Sequence, residues 1–206
     1  MVTTTHLRFA LCWLIAMTLL TGCESTVEVS GNYPKPLIQP MPVDGGLILD
    51  EDFRNYSFFE QDKRRWSRTI TLGNSQAEML RTVVPSMFTS LEVRESMPAN
   101  FSGKPQLWLH PTALEFQYAT PRETRLKLFE VWIKYQIKAY DNQGQIQADW
   151  IVTAYGKTPT AFLRSEEEAL NLAVVVALRD FGANLSLTTP KVAELQQWLA
   201  QQTQSE

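Results

Sequence analysis

Phe129-Glu-Val-Trp-Ile-Lys-Tyr-Gln-Ile-Lys-Ala-Tyr-Asp141 is followed by Asn142-Gln143-Gly144 and then by Gln145-Ile-Gln-Ala-Asp-Trp-Ile-Val-Thr-Ala-Tyr155. Side chains alternate across a strand, so residues two apart share a face. In the first run Val131, Ile133, Tyr135, Ile137 and Ala139 fall on one face, and Trp132, Lys134, Gln136, Lys138 and Tyr140 on the other. In the second run Ile146, Ala148, Trp150, Val152 and Ala154 share a face. Asp141-Asn-Gln-Gly144 between them is turn chemistry, with glycine where positive φ is wanted. The stretch predicts a long antiparallel hairpin with one apolar and one half-polar face.

Working outward, Gly46–Asp50, Trp66–Leu72, Ser90–Glu95, Gln106–Leu109 and Ala113–Ala119 read as further strands, the last two interrupted by Pro111. Residues 51–65 have no clean period and read as a loop with an aromatic anchor. Ser75-Gln-Ala-Glu78 has the capping-box pattern, and Ala77, Leu80, Val84 and Met87 follow at helical spacing, predicting a helix over 75–88. Ser165-Glu-Glu-Glu168 is a second such box before an apolar helix over 169–181, with Gly182 in a C-terminal cap position. That helix is either buried on both sides or turns one side to a partner. Thr189-Pro190 opens a last helix with Val192, Leu195, Trp198 and Leu199 on its apolar side. The expected class is α+β: an antiparallel sheet with two or three helices packed on one face.

The N-terminal part reads differently. Arg8 precedes an uncharged apolar stretch of twelve residues, Phe9–Leu20, and then comes Leu20-Thr21-Gly22-Cys23. A membrane-spanning helix needs about 20 residues, whereas a short apolar run ending in small residues fits a signal peptide. Leu20–Cys23 resembles the lipobox of bacterial lipoproteins. The resemblance implies cleavage before Cys23 and a diacylglycerol thioether on that cysteine. The chain then divides into residues 1–22 as signal peptide, 23–44 as a lipidated tether and 45–206 as a single periplasmic domain. Pro34, Pro36, Pro40 and Pro42 suggest polyproline-like extension in the tether. Some twenty such residues could hold the domain up to about 60 Å from the membrane; alternatively, part of the segment packs along the domain as an extended arm. Glu24, where an inner-membrane retention signal would have Asp, points by the same resemblance to the outer membrane.

Removing residues 1–22 takes away Arg8, Cys12 and His6, leaving 18 basic and 22 acidic side chains, a formal charge of −4. Such a chain has no general attraction to nucleic acid; Lys63-Arg64-Arg65 is its densest basic run. With Cys23 consumed by lipid, no disulfide is available. His110 is the single remaining histidine, which excludes a His/Cys zinc site within one chain. No G-x-S-x-G elbow accompanies it. Asp50-Glu51-Asp52 lacks the spacing of a calcium loop, and Gly156-Lys157-Thr158 lacks the first glycine of a phosphate loop, since Ile151 stands there. Glu166–Glu168 suit a helix start. No catalytic residue, metal or cofactor is expected.

The aromatics carry the functional expectation. Trp108, Trp132 and Tyr140 fall on the polar faces of their strands, and Trp and Tyr are enriched at interfaces. They are expected to bind a protein partner unless helices cover that face. The plan of lipidated cysteine, tether and small α+β domain resembles the auxiliary lipoproteins of ABC-type lipid transport systems and the lipopolysaccharide-assembly lipoprotein. The likeness implies a non-enzymatic accessory, anchored in the outer membrane and facing the periplasm, that joins an envelope protein complex in assembly or transport. A carrier of lipid or another apolar ligand is the alternative, and a carboxylate-based cell-wall hydrolase a further one.

Overall fold

The structure is a computed structural model and describes residues 24–61, 66–101, 103–124, 126–159 and 165–204. Residues 1–22, expected as a signal peptide, together with Cys23 and Lys63-Arg64-Arg65, lie outside the described residues.

The hairpin forms as its alternation demands. β7 (Leu128–Asp141) and β8 (Ile146–Pro159) pair antiparallel from Leu128–Pro159 to Tyr140–Ile146. Gly144 closes the turn at φ 78°. Val131, Ile133, Tyr135, Ile137 and Ala139 are all buried. The return strand departs from strict alternation at one point. A register shift between Ala139 and Tyr140 places Ile146 opposite Tyr140, and Ile146 is exposed. The irregularity is confined to the turn end: Ala148, Val152 and Ala154 beyond it are buried on the inner face, as the alternation predicts.

β6 (Leu107–Ala119) completes the antiparallel part and runs straight through Pro111. Proline is tolerated there because β2 (Met41–Ile48) pairs with β6 over Leu107–Leu109 and, among the described residues, β6 has no second neighbour at Pro111. β5 (Phe88–Arg94) flanks β2. Both pairings of β2 are parallel, which corrects the expected purely antiparallel sheet. The order of this sheet is β5-β2-β6-β7-β8. A smaller sheet, β1-β4-β3, is built from β1 (Glu24–Glu28), β3 (Ser57–Gln61) and β4 (Ser67–Thr71), with β1 parallel to β4.

The helices are α1 (Glu51–Arg54), α2 (Gly73–Val83, continued by a 3-10 turn over Val84–Met87), α3 (Glu166–Thr188) and α4 (Ala193–Gln204). The loop expected over 51–65 thus holds α1 and β3. Asp50 caps α1 by accepting from Phe53 N at 2.9 Å. Ser75 does not cap α2, which begins two residues earlier; the buried Ser75 hydroxyl instead meets Tyr33 Oη at 2.5 Å. The second capping box holds, with Ser165 Oγ accepting from Glu168 N at 3.1 Å. α3 does not stop at Gly182. A Cβ there would lie 2.9 Å from Met79 Sδ and 3.0 Å from Val83, so the glycine serves the close crossing of α3 and α2.

α3 covers the inner face of the large sheet. Phe181 stacks on Tyr135 with ring centroids 3.8 Å apart and planes 9° apart. The Tyr135 hydroxyl, deep in this core, donates to Gln76 Oε1 at 3.0 Å, and burial pushes its pKa upward. At Gly156 a Cβ would sit 2.1 Å from Ala173 O, which brings the α3 backbone directly onto β8. α3 also protects the sheet edge: Asp180 accepts from Tyr155 N at 3.0 Å, occupying a donor that an edge strand leaves open.

The segment expected as a tether is part of the fold. Residues 24–28 form β1, and Val27 and Val29 are core residues. Residues 30–33 lie along α3: Ser30 N donates to Asn171 Oδ1 at 2.9 Å, and Arg179 donates twice to Asn32 O at 2.9 and 3.0 Å. A Cβ on Gly31 would lie 2.6 Å from Val175. Pro34, Pro36 and Pro40 lie outside the strands and Pro42 within β2, which begins at Met41; the arm docks through the backbone of Ser30 and Asn32 and through the Tyr33 side chain. α3 is therefore a core helix, with the sheet on one side and the arm and α2 on others, although its length and apolarity would suffice to cross a membrane.

Candidate partner-docking face

The inner face of β6, β7 and β8 is sealed by α3, while the outer face has no helix over it among the described residues. Its cross-strand rows follow from the register. Gln117, Trp132 and Tyr155 form one row; Glu115, Lys134 and Thr153 the next; Thr112, Gln136 and Ile151 the third; His110, Lys138 and Asp149 the fourth. The rows mix charge with apolar surface. Gln136 donates to both carboxylate oxygens of Asp149 at 2.9 Å, and Ile151 is exposed.

Trp132 and Tyr155 dominate the open end. Their rings are 5.5 Å apart and tilted by 40°. Trp132 is 41% exposed, a large value for an indole. Tyr155 Oη donates to Glu130 Oε1 at 2.6 Å, and this hydrogen bond raises the phenol pKa, with burial adding to it. The hydroxyl therefore stays protonated and fixes the ring beside Trp132. A depression of about 310 Å³ opens next to the indole, between Gln117, Lys134 and Thr153. A fixed aromatic pair beside a shallow depression suits an anchor side chain of another protein.

The other two expected residues stand elsewhere. Trp108 is buried at 2% exposure, which corrects its assignment to the partner surface. It lies over Gly46, where an added Cβ would come within 2.2 Å of the indole. Phe101 meets it edge-on at 6.1 Å, and the Arg94 guanidinium lies 5.2 Å above it. Its indole N–H has no hydrogen-bond partner among the described residues. Tyr140, opposite Trp108 in register, is half-buried, 5.8 Å from Phe101 and 6.4 Å from His110; burial raises its pKa. Trp108 and Tyr140 thus form a closed cluster. Eight residues of β7 separate it from Trp132, about 27 Å at strand rise. Tyr155 is the residue the sequence reading missed. Alternation alone places it away from Ala148, Trp150, Val152 and Ala154, on the half-polar face, where Trp132 is singled out and Tyr155 is not.

The remaining candidates have local structural duties. His110 Nε2 lies 2.7 Å from Asp50 Oδ2, so the histidine ties β6 to the α1 cap. Glu166 pairs with Arg68 at 3.6 Å, and the Glu167 carboxyl is held low by its own backbone N–H and by Ser165. Lys157 and Thr158 are ordinary residues of β8. Among the described residues no group of three or more His, Cys, Asp or Glu is placed to hold a metal ion.

No family model and no curated protein matches this chain. Solved structures do. A Xanthomonas campestris protein described as DUF330 is 12% identical, with TM-score 0.52, over 90% of this chain and 100% of that one. The two chains share a fold. A Caulobacter crescentus protein named as a candidate lipoprotein is 14% identical, with TM-score 0.34, over 48% of this chain and 70% of its own. A hypothetical protein from Chlamydia trachomatis is 11% identical, with TM-score 0.40, over 70% and 96%.

Proposed function

We propose that this chain is a lipoprotein, anchored through Cys23 in the outer membrane and facing the periplasm, and that it acts as a non-enzymatic accessory by docking a protein partner of an envelope assembly or transport complex on the outer face of its large sheet. The observation that carries the reading is the contrast on one sheet: a helix seals the inner face, while Trp132, Tyr155 and Ile151 stand open on the other. The lipobox supports the anchor. The titratable candidates are occupied with capping and tying elements together, which favours binding over catalysis. The space between sheet and α3 is filled by Tyr135, Phe181 and the backbone contact at Gly156, which favours a protein partner over an apolar ligand carried there.

The test is a photo-crosslinking residue in place of Trp132 in intact cells, followed by mass spectrometry of the adducts. One dominant envelope protein is the expected result. Lipid adducts alone would replace the docking reading with the carrier reading. Cys23→Ser should abolish palmitate labelling and membrane anchoring; labelling that persists would remove the anchor from the proposal.

A further inference from the structure

We infer that the end of the domain formed by the start of β4, the end of β6, residues 120–124 and Leu126 rests directly on the phospholipid headgroups of the membrane that holds the anchor. The inference rests on the lipid anchor proposed above. Consecutive Cα atoms are about 3.8 Å apart across a trans peptide, so a lipid on Cys23 is tied one such step from Glu24. Glu24 is already in β1, opposite Ser67, with Ser25 opposite Arg68. Adjacent strands lie about 4.8 Å apart. No free spacer remains between the lipid and the sheet, and the residues around Ser67 have to sit at headgroup level.

The chemistry of that end suits the position. Arg68 is 12% exposed, with its guanidinium 5.4 Å from the Trp66 ring and 5.7 Å from that of Tyr118. Together with Arg122 these residues border an open cleft of about 510 Å³. Three carboxylates border it as well, each with a hydrogen-bond or ion-pair partner of its own. Glu60 accepts from Tyr118 Oη at 2.5 Å, Glu123 accepts from Thr120 N and Oγ1 at 2.7 and 2.8 Å, and Glu166 pairs with Arg68. Arg122 is exposed and makes no ion pair among the described residues. Leu126, at the same end, is 66% exposed. Tryptophan at the interface, arginine for phosphate and a leucine to insert are the side chains that headgroups receive. A partner seated on Trp132 would then dock roughly 13 Å from the membrane end of β7, four residues along the strand.

The mature chain has no thiol besides Cys23, so Leu126→Cys gives a unique attachment point for an environment-sensitive fluorophore. Ile146→Cys is the control, exposed at the opposite end of the hairpin, roughly 40 Å away at strand rise. Lipidated full-length protein is placed in vesicles of phosphatidylethanolamine and phosphatidylglycerol carrying a lipid-borne quencher. The label at 126 should be quenched and the label at 146 should not. Arg122→Glu should lower the equilibrium constant for this end resting on the surface about fivefold for each unit of favourable charge lost, seen as weaker quenching at 126, and more so at low salt. Protein that carries no lipid and does not float with the vesicles would overturn the anchor, and this inference with it. Floated protein with equal or no quenching at the two positions would overturn the inference alone.

Discussion

The two faces of the β6-β7-β8 sheet are made from the same strands, residue by residue in alternation, yet they do opposite work. On the inner face Tyr135 and Phe181 stack at 3.8 Å under α3. On the outer face Trp132 and Tyr155 meet at 5.5 Å with no element above them among the described residues. Each face presents aromatic pairs, so aromatic content does not distinguish core from surface. What distinguishes them is whether another part of the chain can reach across. The far end of the outer face makes the point, because there Phe101 and Arg94 reach over Trp108 and turn it into core.

The comparison breaks most sharply at its sealed side. Phe181→Ala should lower unfolding free energy by about 3–5 kcal/mol, the range for deleting a buried aromatic, read by urea denaturation. Trp108→Ala should follow at about 3 kcal/mol, since its cover comes partly from a single ring and a guanidinium that can settle into the gap. Partner binding should be kept at temperatures where this variant is folded. A Trp108→Ala protein of unchanged stability and lost binding would return the whole outer face to the partner surface. Gly156→Ala comes next, at about 2 kcal/mol, because its Cβ would lie 2.1 Å from Ala173 O and backbone does not yield as a side-chain tip does.

The same contrast explains what could be read from the sequence. The inner face of β7 was legible because every second residue from Val131 to Ala139 is apolar, and all are buried. Trp132 was legible as its complement. Trp108 was not, since its cover comes from residues of separate segments, Phe101 and Arg94, whose approach no local pattern encodes. The parallel pairing of β2 is equally non-local. For residues 30–40 the sequence left a free tether and a docked arm both open, because proline removes ladder hydrogen bonds in either case; the contacts that select the arm, Tyr33 with Ser75 and Asn32 O with Arg179, are non-local. Gly182 looks like a helix stop in sequence, yet α2 packs against that spot and the helix continues. The face of Tyr155 was legible by alternation, opposite to that of Ala148, Val152 and Ala154; its register against Trp132 was not, since the irregularity near the turn sets it.

Trp132→Ala should separate binding from folding. At 41% exposure its removal should cost less than about 1 kcal/mol of stability. Loss of an aromatic anchor should weaken partner association by about 2 kcal/mol, roughly thirtyfold, measured with the partner recovered by crosslinking. Tyr155→Phe sharpens the result. It keeps the ring but frees it from Glu130, so it should weaken association less than Trp132→Ala. Equal losses would mean that the orientation of the pair, rather than the indole surface, is what the partner reads.

The smallest effect lies at the other end of the outer face and is visible only in acid. Asp44, on β2, is held at a pKa of about 2 by Lys104, Ser90 and Thr89, with Lys104 Nζ at 2.6 Å and Ser90 Oγ at 2.6 Å. An unfolded aspartate titrates near 3.9. The folded value is depressed, so the carboxylate stabilises the fold fully above about pH 4 and loses that contribution as pH falls from there toward about 2. Wild type and Asp44→Asn should therefore differ by a constant amount near neutrality and converge across that acid window. Because Lys104 is 79% exposed, salt should shrink the difference even at neutral pH. A gap unaffected by both acid and salt would mean that Asp44 acts as a hydrogen-bond acceptor for Thr89 and Ser90 in the β2–β5 pairing, a role asparagine only half fills, and that the charge on this part of the outer face contributes nothing to the fold.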